Sequence, residues 1–159
     1  MERASNNLIR SFKNAIEGII RALRIERNLK IHFVIGIAVA VFSLFLPINE
    51  RDQLWLYFAV FSVIGAEILN TLVEKFLDLF FKDYNPSVKL VKDIAAGFVL
   101  WYVLFSVVVG LLILGEALFS WRANVVKVFV SVVLVFFPIS AVLLRRFRND
   151  RQDKSDDRG

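Results

Sequence analysis

The 159-residue sequence contains no cysteine and a single histidine, His32. Disulfides, thiolate nucleophiles and Cys-ligated metals are therefore excluded, as is any His-rich metal cluster. Among its few glycines there is no GxxxxGK[ST] loop and no GxGxxG run. That removes P-loop enzymes and kinases with a glycine-rich lid. A hydrolase elbow of the GxSxG kind is also missing. What the chain has in abundance is apolar length.

Hydrophobic residues make up 57% of the sequence and charged residues 22%, and the charges are unevenly spread. They gather near the N-terminus, between the apolar runs and after Leu144. Four long apolar runs are too many for one water-soluble core of this size, whereas a bilayer accommodates them. The expected spans are residues 32–48, 54–80, 94–118 and 125–144, each near the length of about 20 residues that crosses hydrocarbon. Backbone groups in lipid must bond internally, so the spans are helices. The second is long, and its last two turns carry charge and are expected to project into the cytosol.

Cations set the orientation. Arg3, Arg10, Lys13, Arg21, Arg24, Arg27 and Lys30 precede the first span, Lys82, Lys89 and Lys92 lie between the second and third, and Arg145, Arg146 and Arg148 follow the fourth. Only Arg51, Arg122 and Lys127 fall on the other side. The positive-inside bias places both termini and the 81–93 loop in the cytosol. The net charge of +5 therefore reports orientation, not nucleic-acid binding. Residues 1–30 lack the apolar core and cleavage site of a secretory signal. Leu8, Ile9, Phe12, Ile16, Ile19, Ile20 and Leu23 recur at helical spacing opposite Arg10, Lys13, Glu17, Arg21 and Arg24, the pattern of a helix lying in the membrane interface. The expected architecture is all-α: a surface helix over 1–31, a core of three spans over 32–118, an additional span within 119–144 and a disordered basic cytosolic tail over 145–159.

The second span carries the chemistry. In AEILNTLVEKFLD, Glu67, Asn70, Thr71, Glu74 and Asp78 fall within a sector roughly 100° wide on a helix. The stripe is about 16 Å long at about 1.5 Å per residue, running from the inner leaflet to the cytosolic rim. Carboxylates at that depth are costly and usually mark a functional path or site. The bland alternative makes Asn70 and Thr71 interhelical glue and leaves Glu74 and Asp78 in water, but it fits Glu67 poorly. Glu26 in IERN and Lys92-Asp93 in KLVKDIAAG reach the same membrane face. Pro86-Ser87 suits the start of the third span, with Ser87 able to cap it.

Acids, an amide and a lysine at a lipid–water boundary suit phosphoryl transfer, which needs positioning, charge neutralisation and a base for the attacking hydroxyl. Mg²⁺ is typically held by one or two carboxylates together with substrate phosphates, and a lysine offsets phosphate charge. Glu67, deepest in the stripe, is where a lipid hydroxyl would arrive; Glu74 and Glu26, nearer water, are where Mg-ATP would. A different class of protein, a non-enzymatic oligomeric channel or transporter subunit with an acid-lined ion path, fits the stripe alone. It does not need acids and a lysine gathered at one rim.

The run AEILNTLVEKFLD resembles the signature of the prokaryotic diacylglycerol kinase family, E-[IL]-[LI]-N-[ST]-x-[IV]-E-x-x-x-D. The resemblance extends back to IERN and forward to KDIAAG, with Lys92 lying 18 residues after Glu74, and covers about residues 8–118. It implies a three-span protomer with a surface helix, assembled as a homotrimer with shared active sites in a bacterial inner membrane. It also implies Glu67 as catalytic base and Glu26 and Glu74 as ligands of Mg²⁺ with ATP. Asn70, Lys92 and Asp93 would support phosphates and lipid, with Asp78 in the same site. Two features depart from the short members. His32 in RIERNLKIHF stands where the Gram-negative type carries glutamate, which is similar to the Gram-positive branch and favours undecaprenol over diacylglycerol. The span at 125–144 is extra; it carries no evident chemistry and weakens the trimer inference.

Overall fold

The computed structural model describes residues 2–119 together with residues 127, 128, 131, 132 and 135. Four helices follow one another: α1 (Glu2–Ile25), α2 (Arg27–Ser43), α3 (Glu50–Phe80) and α4 (Pro86–Phe119). No strand occurs among the described residues. The expected span over 125–144 and the tail lie outside the described residues, apart from the few isolated positions named.

α1 leaves its apolar face uncovered: Leu8 is 66% exposed and Phe12 73%. On the polar side Arg21 pairs with Glu17 one turn earlier, at 3.7 Å. The helix ends at Ile25, short of the expected 31. Glu26 is extended (φ −94°, ψ 121°), although its N–H still bonds to the Ala22 carbonyl. One extended residue turns the chain from α1 into α2 and leaves the Glu26 side chain at the corner.

α2 has 17 residues and ends at Ser43, short of the expected 48. The buried Ser43 hydroxyl donates back to the Ala40 carbonyl (2.8 Å) and accepts from Gln53 Nε2 of α3 (2.6 Å). These bonds fix the turn. Asn49 then caps α3: its Oδ1 accepts from the Asp52 N–H at 3.0 Å, satisfying one of the otherwise orphaned donors of the first turn.

α3 is the central helix, packed against both α2 and α4. Its buried residues Leu56, Ala59, Val63, the adjacent Ala66 and Glu67, and Thr71 follow the helical repeat, forming one inward stripe. Gly36 of α2 lets the α2 and α3 backbones close together, because a Cβ there would stand 2.6 Å from Val60 Cγ1. The next helix starts differently from expectation. The cap of α4 is Asn85, whose Oδ1 accepts from the Ser87 N–H at 2.9 Å, while Pro86 fills the first helical position, where no N–H is needed. α3 and α4 are each long and apolar enough to cross a bilayer.

Candidate active site

The site is built along one side of α3. Glu67 is only 4% exposed, and its Oε1 lies 3.3 Å from Nε2 of His32 on α2. His32 reaches it because Gly36, one turn further along the same face of α2, permits the close helix approach. Thr71 turns its hydroxyl back to the Glu67 backbone carbonyl at 2.9 Å, so it serves its own helix and does not bridge to another.

One turn towards the rim, Asn70 Nδ2 donates to Glu74 Oε1 at 3.0 Å. Its Oδ1 is buried and has no hydrogen-bond partner among the described residues. A buried carbonyl oxygen left open in this way costs free energy unless something supplies a donor or a cation. Glu26 and Glu74 both lie close enough to Glu67 for their charges to act on it, so three carboxylates share one neighbourhood.

The rim is closed by two ion pairs. Lys75 Nζ lies 3.1 Å from Glu26 Oε1, tying α3 to the α1–α2 corner. Lys92 Nζ donates to Asp78 Oδ1 at 2.6 Å, tying α4 to α3. Both pairs involve the last turns of α3. The hydrogen bond from Lys92 holds the Asp78 carboxyl below the usual carboxylate range, and the bond to Glu26 holds Lys75 above its ordinary value. Asp93, next in sequence, is exposed on α4 and makes no hydrogen bond or ion pair among the described residues.

Of the residues singled out from sequence, Glu67, Asn70, Glu74 and Asp78 line the stripe, and Glu26 and Lys92 are brought to it by α1–α2 and α4. Asp93 stays apart from those contacts. Sequence reasoning missed two participants. Lys75 sits inside the motif between Glu74 and Asp78, and its position one residue after an acid was the available signal. His32 drew attention only as a departure from the resemblance; a partner 35 positions away leaves no local trace.

No group of three or more His, Cys, Asp or Glu side chains forms a closed cation cage among the described residues. A hard cation that enters with a nucleotide needs no such cage, since phosphates and water supply most of its oxygens. The carboxylates of Glu26 and Glu74 and the open Asn70 Oδ1 are oxygen donors of the kind it takes.

The family model for prokaryotic diacylglycerol kinase matches residues 13–114, which include every residue of the site. An undecaprenol kinase from Bacillus subtilis (strain 168) is 31% identical over 108 residues, covering 68% of this chain and 88% of that protein. A diacylglycerol kinase from Synechocystis sp. (strain ATCC 27184 / PCC 6803 / Kazusa) is 34% identical over 105 residues, covering 65% of this chain and 60% of that protein. The chain belongs to the prokaryotic diacylglycerol kinase family of lipid kinases.

Proposed function

We propose that this lipid kinase transfers the γ-phosphate of ATP to the hydroxyl of a membrane lipid alcohol, with undecaprenol preferred to diacylglycerol. The observation that carries the reading is Glu67: a carboxylate removed from water, at the inner end of an acidic stripe, held by His32 at 3.3 Å. A base there accepts the proton of an incoming hydroxyl without solvent competing for it. Glu26 and Glu74 would hold Mg²⁺ with the nucleotide, and Asn70 Oδ1 is a third oxygen suited to that cation or its water. Bound Mg²⁺ supplies charge neutralisation on the transferring phosphoryl group. Lys92, with Asp93 beside it, sits at the rim to meet phosphate, and Lys75 stands opposite. In this reading both lysines exchange a carboxylate for phosphate oxygens when nucleotide arrives.

The lean towards undecaprenol rests on family resemblance: His32, in contact with Glu67, matches the Gram-positive form of the motif. In this reading the protein sits in a bacterial cytoplasmic membrane as a multi-pass protein with both termini cytosolic and works as a homo-oligomer, a trimer by family resemblance. An ion path is the weaker reading, because the relatives that the chain matches are lipid kinases.

The test is phosphate transfer from labelled ATP in mixed micelles, offering undecaprenol and diacylglycerol separately, with Mg²⁺ present or chelated. Label in lipid that vanishes with chelator supports the reading and ranks the substrates. Folded protein that labels neither lipid would remove it.

A further inference from the structure

The inward row of α3 ends in a positive charge. Glu67, Thr71 and Lys75 follow one another at intervals of one turn, so they stand in line on the face that meets α2. Glu67 and Thr71 are buried, and the Lys75 side chain beyond them is half-exposed. Its ammonium lies 3.1 Å from Glu26 Oε1. The break between α1 and α2 frees Glu26 for this contact: it holds the N-cap position of α2, yet its side chain makes no capping hydrogen bond. Glu74 and Asp78 also act on Lys75 through their charges. Lys92 is committed to Asp78 at 2.6 Å and His32 to Glu67 at 3.3 Å, whereas Lys75 holds Glu26.

An ammonium and a divalent cation compete for one carboxylate, and they repel each other across a few ångströms. Lys75 is tethered to the site, whereas a free cation must arrive from solution. Because the pair is partly exposed, it is weak enough to be broken. A bare cation offers the displaced ammonium nothing and meets its repulsion. A polyphosphate that carries a cation differs, since it gives Lys75 anionic oxygens in exchange for Glu26.

We infer that Lys75 is the resident counter-cation of Glu26, a specificity-determining residue that keeps a bare divalent cation out of the site and admits it with a polyphosphate. The inference rests on the lipid-kinase reading and adds a rule of entry to it: cation and nucleotide arrive together. Lys75 acts by occupying Glu26 and by repulsion, and it takes no part in proton transfer at Glu67.

Mn²⁺ is the probe, because free Mn²⁺ gives an electron paramagnetic resonance signal that binding removes. The full chain in detergent micelles is titrated as wild type, Lys75→Met, Lys75→Arg and the double variant Lys75→Met/Glu26→Gln. Each is measured without nucleotide and then with a non-hydrolysable ATP analogue. Without nucleotide, Lys75→Met should bind Mn²⁺ roughly tenfold tighter than wild type, the scale of one unit charge acting over a few ångströms near a protein surface. Lys75→Arg keeps the charge and should stay with wild type, and the double variant should lose the gain. With Mn²⁺ present, Lys75→Met should bind the analogue more weakly, because the phosphates lose an ammonium. A residue that merely tied α3 to the α1–α2 corner would move both affinities the same way, so shifts of the same sign overturn the inference. An unchanged Mn²⁺ affinity in folded Lys75→Met overturns it as well, while lipid labelling by wild type keeps the kinase reading standing. A gain that survives Glu26→Gln places the cation elsewhere and overturns it. The expected pattern in a protein that labels no lipid keeps the counter-cation and sinks the kinase reading.

Discussion

His32 Nε2 and Glu67 Oε1 stand 3.3 Å apart across the α2–α3 interface, the acid 4% exposed and the imidazole one quarter exposed. A carboxylate so enclosed has one side chain from another helix to hold it, and that side chain also faces an apolar cavity between α2, α3 and α4.

Glu67→Gln keeps the size and a contact to His32 but removes the proton acceptor. Transfer to lipid is expected to fall by about 10²–10⁴-fold in kcat, the usual contribution of a positioned base. Micelle assays with labelled ATP measure it, and thermal unfolding within a few degrees of wild type excludes misfolding. Activity within a factor of three of wild type would remove Glu67 from the role of base.

His32→Ala strands Glu67 without its partner. An unsatisfied buried polar group costs about 1–3 kcal/mol, so the variant should unfold at lower temperature in detergent. In the double variant with Glu67→Gln the two effects should not add, because both residues serve one contact. Strict additivity in thermal melts would show that the pair is not coupled.

Much of this was readable in advance, and the reason differs by element. The stripe from Glu67 to Asp78 is local: a single helix fixes the angles between its members, so periodicity alone aligns them. α3 accordingly begins at Glu50, four residues before the expected span, and keeps the expected end at Phe80. α4 starts at Pro86, earlier than the apolar run itself, because Asn85 and Pro86 together start a helix whose first turns are charged. The break at Glu26 was not legible, since an extended residue flanked by good helix formers has no compositional signature. Nor was the early end of α2, which is set by the Ser43–Gln53 bond between helices. Pairings such as His32 with Glu67 and Glu26 with Lys75 depend on how helices cross, which periodicity within one helix does not encode.

Gly36→Ala tests the close approach on which the His32 contact depends. The new Cβ would stand 2.6 Å from Val60 Cγ1, and a β-branched side chain has little freedom to yield. Overpacking of this kind costs about 1–3 kcal/mol. Adding Val60→Ala should recover most of the lost thermal stability. A single variant as stable as wild type would mean that the helices separate at no cost.

Lys92→Met separates function from stability at the rim. Its bond to Asp78 is solvent-exposed, and exposed pairs contribute about 0–1 kcal/mol, so the melting temperature should scarcely move. Loss of phosphate neutralisation should instead raise the KM for ATP and lower kcat/KM at least tenfold. Equal losses of stability and activity would make the lysine a structural tie only.

The missing cysteines allow a clean check of orientation. Glu50→Cys and Asp83→Cys place single thiols at opposite ends of α3, in a background with none. An impermeant thiol reagent added to intact cells should label the first and spare the second. The reverse pattern would invert the assigned topology.

The length of α3 has a further consequence. Its 31 residues extend about 46 Å, whereas the hydrocarbon core of a bilayer is about 30 Å thick. On the proposed topology its N-terminal end is the outer one, and the Asn49 cap with Glu50, Arg51 and Asp52 would pin it at the water boundary. A change in membrane thickness would then be felt at the other end, where the surplus of about 16 Å overlaps the acidic stripe. A thicker bilayer would draw Glu74 towards hydrocarbon, and a thinner one would bring Glu67 nearer to water. On the proposed topology and function the helix would act as a depth gauge, making turnover depend on the lipid thickness around the protein as well as on the lipid phosphorylated.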